Sequence, residues 1–595
     1  MTTNEKIEKI RELMKKNNVD IYIIPSDDFH QSEDVAEYFK VREYVSGFTG
    51  SAGTLVITKE KSYLWTDGRY FIQAEKELSE SEIILCKSGT ENTLTILEFL
   101  KNNMHEGETL GFDGRVVSYI QFLEYSSAAK DKNIKIVTNF DFAGDIWENR
   151  PSLPKEKIFV LSEKYSGESF ENKIKRLRAE MKKEEEDIHI IASLDDIAWL
   201  FNIRGNDIPC TPVVLAYAYI TQKEVILFID KDKLTEETKE YFSQNKIEIK
   251  DYFEFYKRLK SINASSQRKI LVDYARINAA VFNSIPRNKN IKIISKINPT
   301  QFLKAVKNNT EIKNIIKAHI KDGTAVTKFM YWLKNNIEKE EITEISAGEK
   351  LEFFRREQKD FIEPSFDTIS AYGSNAAMMH YSAGKNSNAV LEQKNLLLVD
   401  SGGQYLQGTT DITRTFALGK VDETIKKHYT TVLKSVIALS KIEFLHGTKC
   451  SEFDRIARTP VLELGLDYLC ATGHGVGYLS VVHEGPNIFR KTSDFVLEEN
   501  MITTVEPGIY IENSHGIRIE NEILSRNIKK TEEGQLMNFE TVTFAPIDLD
   551  PVNISLLTQE EKDWLNNYHK LVFEKISPNL NDEEREWLKI YTREI

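Results

Sequence analysis

The sequence predicts a multidomain protein that is α/β in its front part and α+β in its last part. Its 595 residues are too many for a single hydrophobic core, because cores stop growing at roughly 250–300 residues. The front part contains one helix–strand pattern twice, and the last part combines apolar strands with long helical segments. We therefore expect two α/β layer domains followed by a larger mixed domain.

A sequence repeat organises the front part. Residues 7–28 and 174–196 each read as an amphipathic helix, then a short apolar strand, then a turn. The matching positions continue in the same order through the strand-like runs 57–67 and 220–230. Chance similarity between two common helix–strand units is the alternative, but the order holds over about fifty residues.

Composition sets the expected domain boundaries. The stretch 147–157 is polar and contains two prolines, which is typical of a linker. We expect one domain over 1–150 and its duplicate over 151–305. A helix-like segment over 310–336 would open the third domain, 306–595, which ends in an amphipathic helical tail.

The bulk composition excludes several classes of protein. Apolar residues are 41% and charged residues 29% of the chain, which argues against disorder. The net charge of −13 argues against nucleic acid as a partner, because neutralising phosphates requires a basic surface. No run approaches the ~20 apolar residues of a membrane span. Four widely spaced cysteines without a CxxC pair indicate a reduced, cytoplasmic protein.

Two candidate metal-binding aspartates lie on neighbouring strand-like runs. The apolar run 395–400 ends on Asp400, and the run 409–416 alternates so that Asp411 shares a face with two threonines. A hairpin of these runs would bring Asp400 and Asp411 side by side across the ladder. Carboxylates that close repel each other unless a cation lies between them. Taken alone, the pair is explained better as two exposed aspartates in turns than as a metal site.

Three further candidate ligands follow along the chain. His474 lies among glycines, which permit close approach to an ion, although a lone histidine is more often structural. Glu506 ends an apolar strand just before a Pro-Gly turn. Glu520 lies in an alternating run in which Arg518 and Glu522 face the same way. For that run alone, an Arg518–Glu520 ion pair is the simpler interpretation.

Together these residues suit two divalent metal ions. Four carboxylates balance the charge of two such ions and leave room for a bridging hydroxide. Oxygen-rich ligation without thiolates favours manganese-like or cobalt-like ions over a structural zinc site. Two ions roughly 3.5–4 Å apart share a water whose pKa falls towards ~7, which supplies a nucleophile without a catalytic serine or cysteine. The candidate ligands are Asp400, Asp411, His474, Glu506 and Glu520.

The ordered motifs DSGGQY, TTDITRT, GHGVG, VHEGP, VEPGIY and GIRIEN resemble those of the M24 metallopeptidases, which have the "pita-bread" fold. Within that family the chain is most similar to the three-domain, cytosolic type of Xaa-Pro aminopeptidase. The segments SDDFHQSE, GFTGSAG, WTDGRYF, SLDDIAWLFNIRG and NFETVTFAPID also match, so the resemblance spans essentially the whole chain. It implies two creatinase-like α/β domains followed by a pita-bread catalytic domain.

The resemblance implies a role for each candidate ligand. Asp400 would bind one ion through both carboxylate oxygens. Asp411 and Glu520 would bridge the two ions, and His474 and Glu506 would complete the shell of the other ion. Glu506 would also carry a proton from the attacking water to the leaving nitrogen.

The resemblance also implies residues that contact the substrate. His380 and His483 would contact the substrate and steady the developing oxyanion. Arg69 would reach the active site from the first domain, and Arg518 would lie behind the ligands or help line the proline pocket. One departure is Cys470, four residues before His474, where relatives often have histidine. This change puts the tuning of the surroundings of His474 in doubt.

The expected function is release of the N-terminal residue from peptides with proline in the second position. Manganese is the expected metal, with cobalt or zinc as alternatives, and a homodimer is the expected assembly. A prolidase that cleaves Xaa-Pro dipeptides and a methionine aminopeptidase are the nearest rival readings. A non-catalytic peptide- or protein-binding module with the same fold is a further alternative, but such relatives typically lack metal ligands.

Overall fold

The computed structural model describes residues 1–130, 132–384 and 387–595. The chain divides into two compact units. The first comprises Met1–Ser162 and Glu168–Thr300, and the second comprises Glu163–Gly167 and Gln301–Ile595.

The first unit contains two six-stranded mixed sheets and a small two-stranded ribbon. The strands of the first sheet are β1 (Ile21–Pro25), β2 (Thr54–Thr58), β3 (Ser62–Thr66), β4 (Ile83–Lys87), β5 (Thr109–Phe112) and β6 (Lys135–Val137). The later strands are β7 (Phe159–Val160), β8 (Ile188–Ile191), β9 (Ile203–Arg204), β10 (Ala216–Thr221), β11 (Val225–Ile229), β12 (Glu248–Lys250), β13 (Arg268–Val272) and β14 (Ile291–Ser295). Strands β7 and β9 form the ribbon, and the other six form the second sheet.

The two sheets have the same strand order and the same strand directions. The order is β4-β3-β2-β1-β5-β6 in the first sheet and β12-β11-β10-β8-β13-β14 in the second. In the first sheet, β1 is antiparallel to β2 and parallel to β5. In the second sheet, β8 is likewise antiparallel to β10 and parallel to β13. The repeated sequence segments therefore occupy equivalent positions in the two sheets.

Helices cover the sheets of the first unit. The helices over residues 1–305 are α1 (Thr3–Lys16), α2 (Val41–Ser46), α3 (Phe71–Glu77), α4 (Ile96–Asn103), α5 (Tyr119–Lys130), α6 (Phe142–Asp145), α7 (Glu163–Ser166), α8 (Phe170–Lys183), α9 (Leu194–Leu200), α10 (Glu236–Gln244), α11 (Glu254–Lys260), α12 (Ala279–Ser284) and α13 (Pro299–Ala305). Of these, α7 and most of α13 belong to the second unit. Tyr22 and Ile24 of β1 pack into one core, whereas Ile21 and Ile23 pack into another. Because alternate side chains point to opposite faces of a strand, both faces of this sheet are covered.

The second unit is built around a six-stranded antiparallel sheet. The strands of the second unit are β15 (Phe361–Pro364), β16 (Ile369–Tyr372), β17 (Leu396–Ser401), β18 (Gly403–Tyr405), β19 (Gly408–Thr409), β20 (Ile412–Ala417), β21 (Glu443–Leu445), β22 (Gly473–Gly475), β23 (Glu484–Phe489), β24 (Ile502–Val505), β25 (Gly508–Ile511), β26 (His515–Arg518), β27 (Asn521–Lys530) and β28 (Gln535–Thr541). The main sheet has the order β21-β28-β27-β24-β22-β23. Smaller sheets contain β15-β18-β19, β16-β17-β20 and β25-β26.

Long helices complete the second unit. They are α14 (Asn309–Asn336), α15 (Glu344–Arg356), α16 (Glu423–Ser440), α17 (Cys450–Leu462), α18 (Gln559–Ile576) and α19 (Asp582–Tyr591). Helix α14 confirms the predicted helix over 310–336, and α18 confirms the amphipathic tail. Apolar residues of α16, α17 and α18 share one core with the main sheet.

Two predicted strand patterns differ in detail from the structure. Asp400 pairs with Thr413 rather than with Asp411, because the strands β18 and β19 intervene between β17 and β20 and set the register. Asp411 is therefore the diagonal neighbour of Asp400. The alternating run that contains Arg518, Glu520 and Glu522 belongs to two strands, because β26 pairs with β25 whereas β27 pairs with β24 and β28.

The cysteines and helices bear on two expectations from composition. All four cysteines are free thiols. Within the described part of the chain, no helix is both long and apolar enough to cross a bilayer.

Candidate active site

The five predicted metal ligands come from five different places in the second unit. Asp400 lies on β17, and Asp411 immediately precedes β20. His474 is the central residue of β22, Glu506 directly follows β24, and Glu520 directly precedes β27. Each ligand thus lies on a strand or at its end, where the backbone is held by the ladder.

Ligand atoms of Asp411, His474 and Glu520 all lie within 4.8 Å of one another. His474 Nε2 lies 3.5 Å from Asp411 Oδ2 and 3.4 Å from Glu506 Oε1. The backbone carbonyl of Gly475 lies 3.0 Å from His474 Nδ1, so that nitrogen carries the proton. The Nε2 atom therefore faces the carboxylates, as a metal-binding histidine requires.

The electrostatics of the cluster fit a cation. Burial raises the pKa of Glu520 well above its usual value, and Asp411 and Asp400 raise it further. Burial also raises the pKa of Glu506. Among the described residues, Asp400 Oδ1 and Glu520 Oε1 are buried without a hydrogen-bond partner. Buried glutamates with a raised pKa, together with buried carboxylate oxygens that have no donor, fit a site for a divalent cation.

The carboxylates are oriented by hydrogen bonds from their neighbours. The Thr413 hydroxyl donates to Glu520 Oε2 at 2.8 Å. The Asp411 N–H donates to Glu522 Oε1 at 2.9 Å, and the His474 N–H donates to the Thr504 hydroxyl at 3.1 Å. These contacts restrict the positions of the candidate ligands before any ion binds.

Arg518 joins several parts of the site. Its guanidinium donates to Asp400 Oδ2 at 2.5 Å and to the Tyr510 hydroxyl at 2.6 Å. Its Nε donates to Thr413 Oγ1 at 3.2 Å. Although burial alone would lower the pKa of Arg518, nearby anionic groups raise it well above its usual value. The simple Arg518–Glu520 ion pair is therefore wrong: Arg518 pairs with the carboxylate of Asp400, because β26 ends at Arg518 and the chain turns before β27.

The predicted substrate-binding residues lie in different parts of the molecule. The exposed His483 follows β22 in the chain, and its ring centroid lies 4.2 Å from that of His474. His380 follows the short 3₁₀ turn Gly373–Ala377, and the carbonyl of the preceding Met379 accepts a hydrogen bond from Arg518 at 3.4 Å. Arg69 belongs to the first unit, where it contacts Asp67 at 2.8 Å and Glu33 at 3.8 Å. The substrate-binding roles of these residues remain predictions.

Two side chains near the site were not assigned a role from the sequence. Glu522 faced the same way as Glu520 in the alternating pattern, which was a signal that it lies close to the site. Tyr510 had no comparable signal, because its contact with Arg518 depends on the pairing of β25 with β26. The sequence did single out Cys470, and burial raises the pKa of its thiol to about 12.

Comparison with known families accounts for most of the chain. Residues 6–142 and 149–311 each match the creatinase/prolidase N-terminal domain. Residues 313–527 match the metallopeptidase family M24, and residues 535–595 match the C-terminal region of peptidase M24. The chain is also 38% identical to Xaa-Pro aminopeptidase 1 of Dictyostelium discoideum, over 98% of this chain and 96% of that protein. The chain belongs to the metallopeptidase family M24.

Other M24 proteins match over the same length. A probable Xaa-Pro aminopeptidase P of Talaromyces marneffei is 39% identical, over 100% of this chain and 92% of that protein. The crystal structure of X-prolyl aminopeptidase from Caenorhabditis elegans superposes with a TM-score of 0.96 and 31% identity, and covers 100% of both chains. That protein is described as a cytosolic enzyme with a di-nuclear active site. The predicted fold, two creatinase-like domains and a pita-bread domain, is confirmed.

Proposed function

We propose that this M24 protein is a metallo-aminopeptidase that releases the N-terminal residue from peptides with proline in the second position. The observation that carries the proposal is the cluster of buried carboxylates around His474. The cluster occurs in a chain that matches Xaa-Pro aminopeptidases over nearly its full length. A cytoplasmic homodimer is part of the proposal and rests on family resemblance.

The proposed cofactor is a pair of divalent ions, with manganese as the native metal. Asp400 would hold one ion, Asp411 and Glu520 would be shared by both, and His474 and Glu506 would hold the second. The donor set of four carboxylates and one imidazole supports manganese over a thiolate-type zinc site. When bound, such ions would supply a water whose pKa is lowered towards ~7 and a Lewis acid for the scissile carbonyl.

Proton transfer is assigned to Glu506. Its carboxylate lies 3.4 Å from His474 Nε2, and its proton affinity is already raised by burial. Such a carboxylate accepts a proton from the attacking water and delivers it to the leaving nitrogen. The nitrogen of proline is a poor leaving group unless it is protonated, so this transfer is essential to the reaction.

The remaining roles concern the substrate. His380 and His483 donate hydrogen bonds to the developing oxyanion. Arg69 and Arg518 help to bind the peptide, and Arg518 also holds Asp400 in place through its 2.5 Å contact.

The proposal is tested with metal-stripped protein and two tripeptides, Xaa-Pro-Xaa and Xaa-Ala-Xaa. After Mn²⁺ is restored, mass spectrometry should detect release of only the first residue from the proline peptide. Glu506→Gln should lower kcat by about 100-fold or more, because it removes the proton carrier. Glu443→Gln, which changes an exposed glutamate on β21, should retain full activity.

Other outcomes would point to the rival readings. Cleavage of Xaa-Pro dipeptides, with no cleavage of the tripeptide, would indicate a prolidase. Release of residues from the alanine peptide alone would place the enzyme elsewhere in the family. No cleavage of any peptide by protein that binds Mn²⁺ would favour a binding module.

A further inference from the structure

A buried pair of titratable side chains lies behind the candidate ligands. His319 of α14 and Glu522 of β27 are 0% exposed in each case. His319 Nε2 lies 3.1 Å from Glu522 Oε2. Neither residue is a predicted metal ligand or a predicted contact of the substrate.

Glu522 connects this pair to Asp411. Its second oxygen, Oε1, accepts the hydrogen bond from the Asp411 N–H at 2.9 Å. Its own backbone is held by β27 and by a hydrogen bond from its N–H to the Thr543 hydroxyl at 2.8 Å. The carboxylate therefore faces His319 with one oxygen and holds the backbone N–H of Asp411 with the other.

Placing Glu522 here is costly for the fold. A buried carboxylate is destabilising unless it is paired and hydrogen-bonded. His319 Nε2, 3.1 Å from Glu522 Oε2, is a polar group that offsets this cost. An apolar residue at position 522 would avoid this cost but would leave the Asp411 N–H without its acceptor. A role in positioning Asp411 therefore explains the arrangement better than a role in stabilising the fold.

We propose that His319 and Glu522 are positioning residues that hold Asp411 in its metal-binding geometry and so raise the affinity of the site for divalent ions. The inference rests on the proposed function, because it takes Asp411 as a ligand. Residues that orient metal ligands typically change metal affinity by about 10–100-fold when they are replaced.

The test is calorimetric titration of the metal-free full-length protein with Mn²⁺. Glu522→Leu removes the acceptor for the Asp411 N–H and should weaken Mn²⁺ binding by about 10–100-fold. Glu522→Gln keeps an oxygen acceptor and an amide that can donate to His319, so it should bind Mn²⁺ nearly as tightly as the wild type. His319→Leu leaves Glu522 without its partner and should weaken binding in the same direction as Glu522→Leu.

A second buried pair provides the control for general loss of stability. Lys233 and Asp207 form a buried ion pair in the first unit. Asp207→Asn should lower the melting temperature without changing Mn²⁺ affinity. Circular dichroism and thermal melts of every variant establish that it is folded before the titration.

Three results would overturn the inference. One is a folded Glu522→Leu protein that binds Mn²⁺ as tightly as the wild type. Another is an equal loss in Glu522→Leu and Glu522→Gln, which would assign the effect to charge rather than to the hydrogen bond. The third is an equal loss in Asp207→Asn, which would assign it to stability. Failure of the wild type itself to bind Mn²⁺ would instead refute the proposed function, and the inference with it.

Discussion

At the scale of single residues, the strand that carries His474 lies so close to its neighbouring strands that a side chain at either adjacent position would clash. A Cβ atom added to Gly473 would lie 1.8 Å from the carbonyl oxygen of Thr504. One added to Gly475 would lie 2.3 Å from the carbonyl oxygen of Glu484. The glycines on both sides of His474 are therefore needed for the strand to fit between β23 and β24, which is what places the imidazole beside the carboxylates.

Gly473→Ala is expected to displace β22 and so to move His474. The backbone oxygen it would strike cannot move without breaking the ladder, so the variant should lose stability by about 1–3 kcal/mol and should bind Mn²⁺ at least tenfold more weakly. Calorimetry and urea unfolding measure the two effects. Gly348→Ala on α15 meets only ordinary contacts of 3.5 Å or more, so it should leave Mn²⁺ binding unchanged and should stabilise the protein by about 0.5–1 kcal/mol. Equal behaviour of the two variants would contradict this account of β22.

At the scale of secondary-structure elements, helix α18 closes the second unit. Leu565, Val572 and Ile576 are fully buried in the core that also contains the main sheet. The hydroxyl of Tyr568 donates to the carbonyl oxygen of Ala545 at 2.7 Å and accepts from Arg414 at 2.9 Å. Arg414 follows Thr413 on β20. The tail helix therefore supports the strand that positions Thr413.

Leu565→Ala is expected to destabilise the second unit by about 2–5 kcal/mol, since it leaves a cavity in a packed core. Asn567→Ala on the exposed face of the same helix should change stability by less than about 0.5 kcal/mol. Urea unfolding followed by circular dichroism compares the variants. A helix that merely lies on the surface would give a small loss for both.

At the scale of the whole molecule, the loop that follows β1 of the first sheet packs against residues around the second sheet of the same unit. His30 in this loop is buried, with Nδ1 2.7 Å from the Ala192 carbonyl oxygen and Nε2 2.7 Å from the Tyr252 hydroxyl. Its ring packs 4.4 Å from that of Tyr217. Burial lowers the pKa of His30 to about 4, although Asp28 acts in the opposite direction.

The lowered pKa of His30 predicts a loss of stability in acid. The unfolded chain binds the proton near the ordinary pKa of about 6.5, whereas the folded chain resists it until about pH 4. Stability should therefore be unaffected above pH 6.5 and should fall as the pH drops from 6.5 to 4, by on the order of 3 kcal/mol from this residue.

Replacement of His30 isolates its share of that pH dependence. Urea unfolding of His30→Gln at pH 7.5, 5.5 and 4.5 should show a shallower loss of stability than the wild type. His105→Gln, which changes an exposed histidine, should follow the wild-type curve. Identical slopes for His30→Gln and the wild type would show that His30 does not contribute.

Much of the fold and the candidate site was predictable because the signals are local. The repeat at 7–28 and 174–196, the helix over 310–336 and the tail helix all follow from periodic apolar positions. The five candidate ligands were singled out because each ends or interrupts an apolar strand, or lies among glycines. Their roles as ligands still await the metal titration.

What the sequence by itself determined is the kind of each element and the order of the chemical groups, since periodicity and residue type act over a few neighbours. The tertiary structure alone decided which groups meet. It placed Thr413 rather than Asp411 opposite Asp400, paired Arg518 with Asp400, and brought His319 of a distant helix to Glu522. Strand register and helix packing depend on contacts between residues far apart in the chain, which no local pattern specifies.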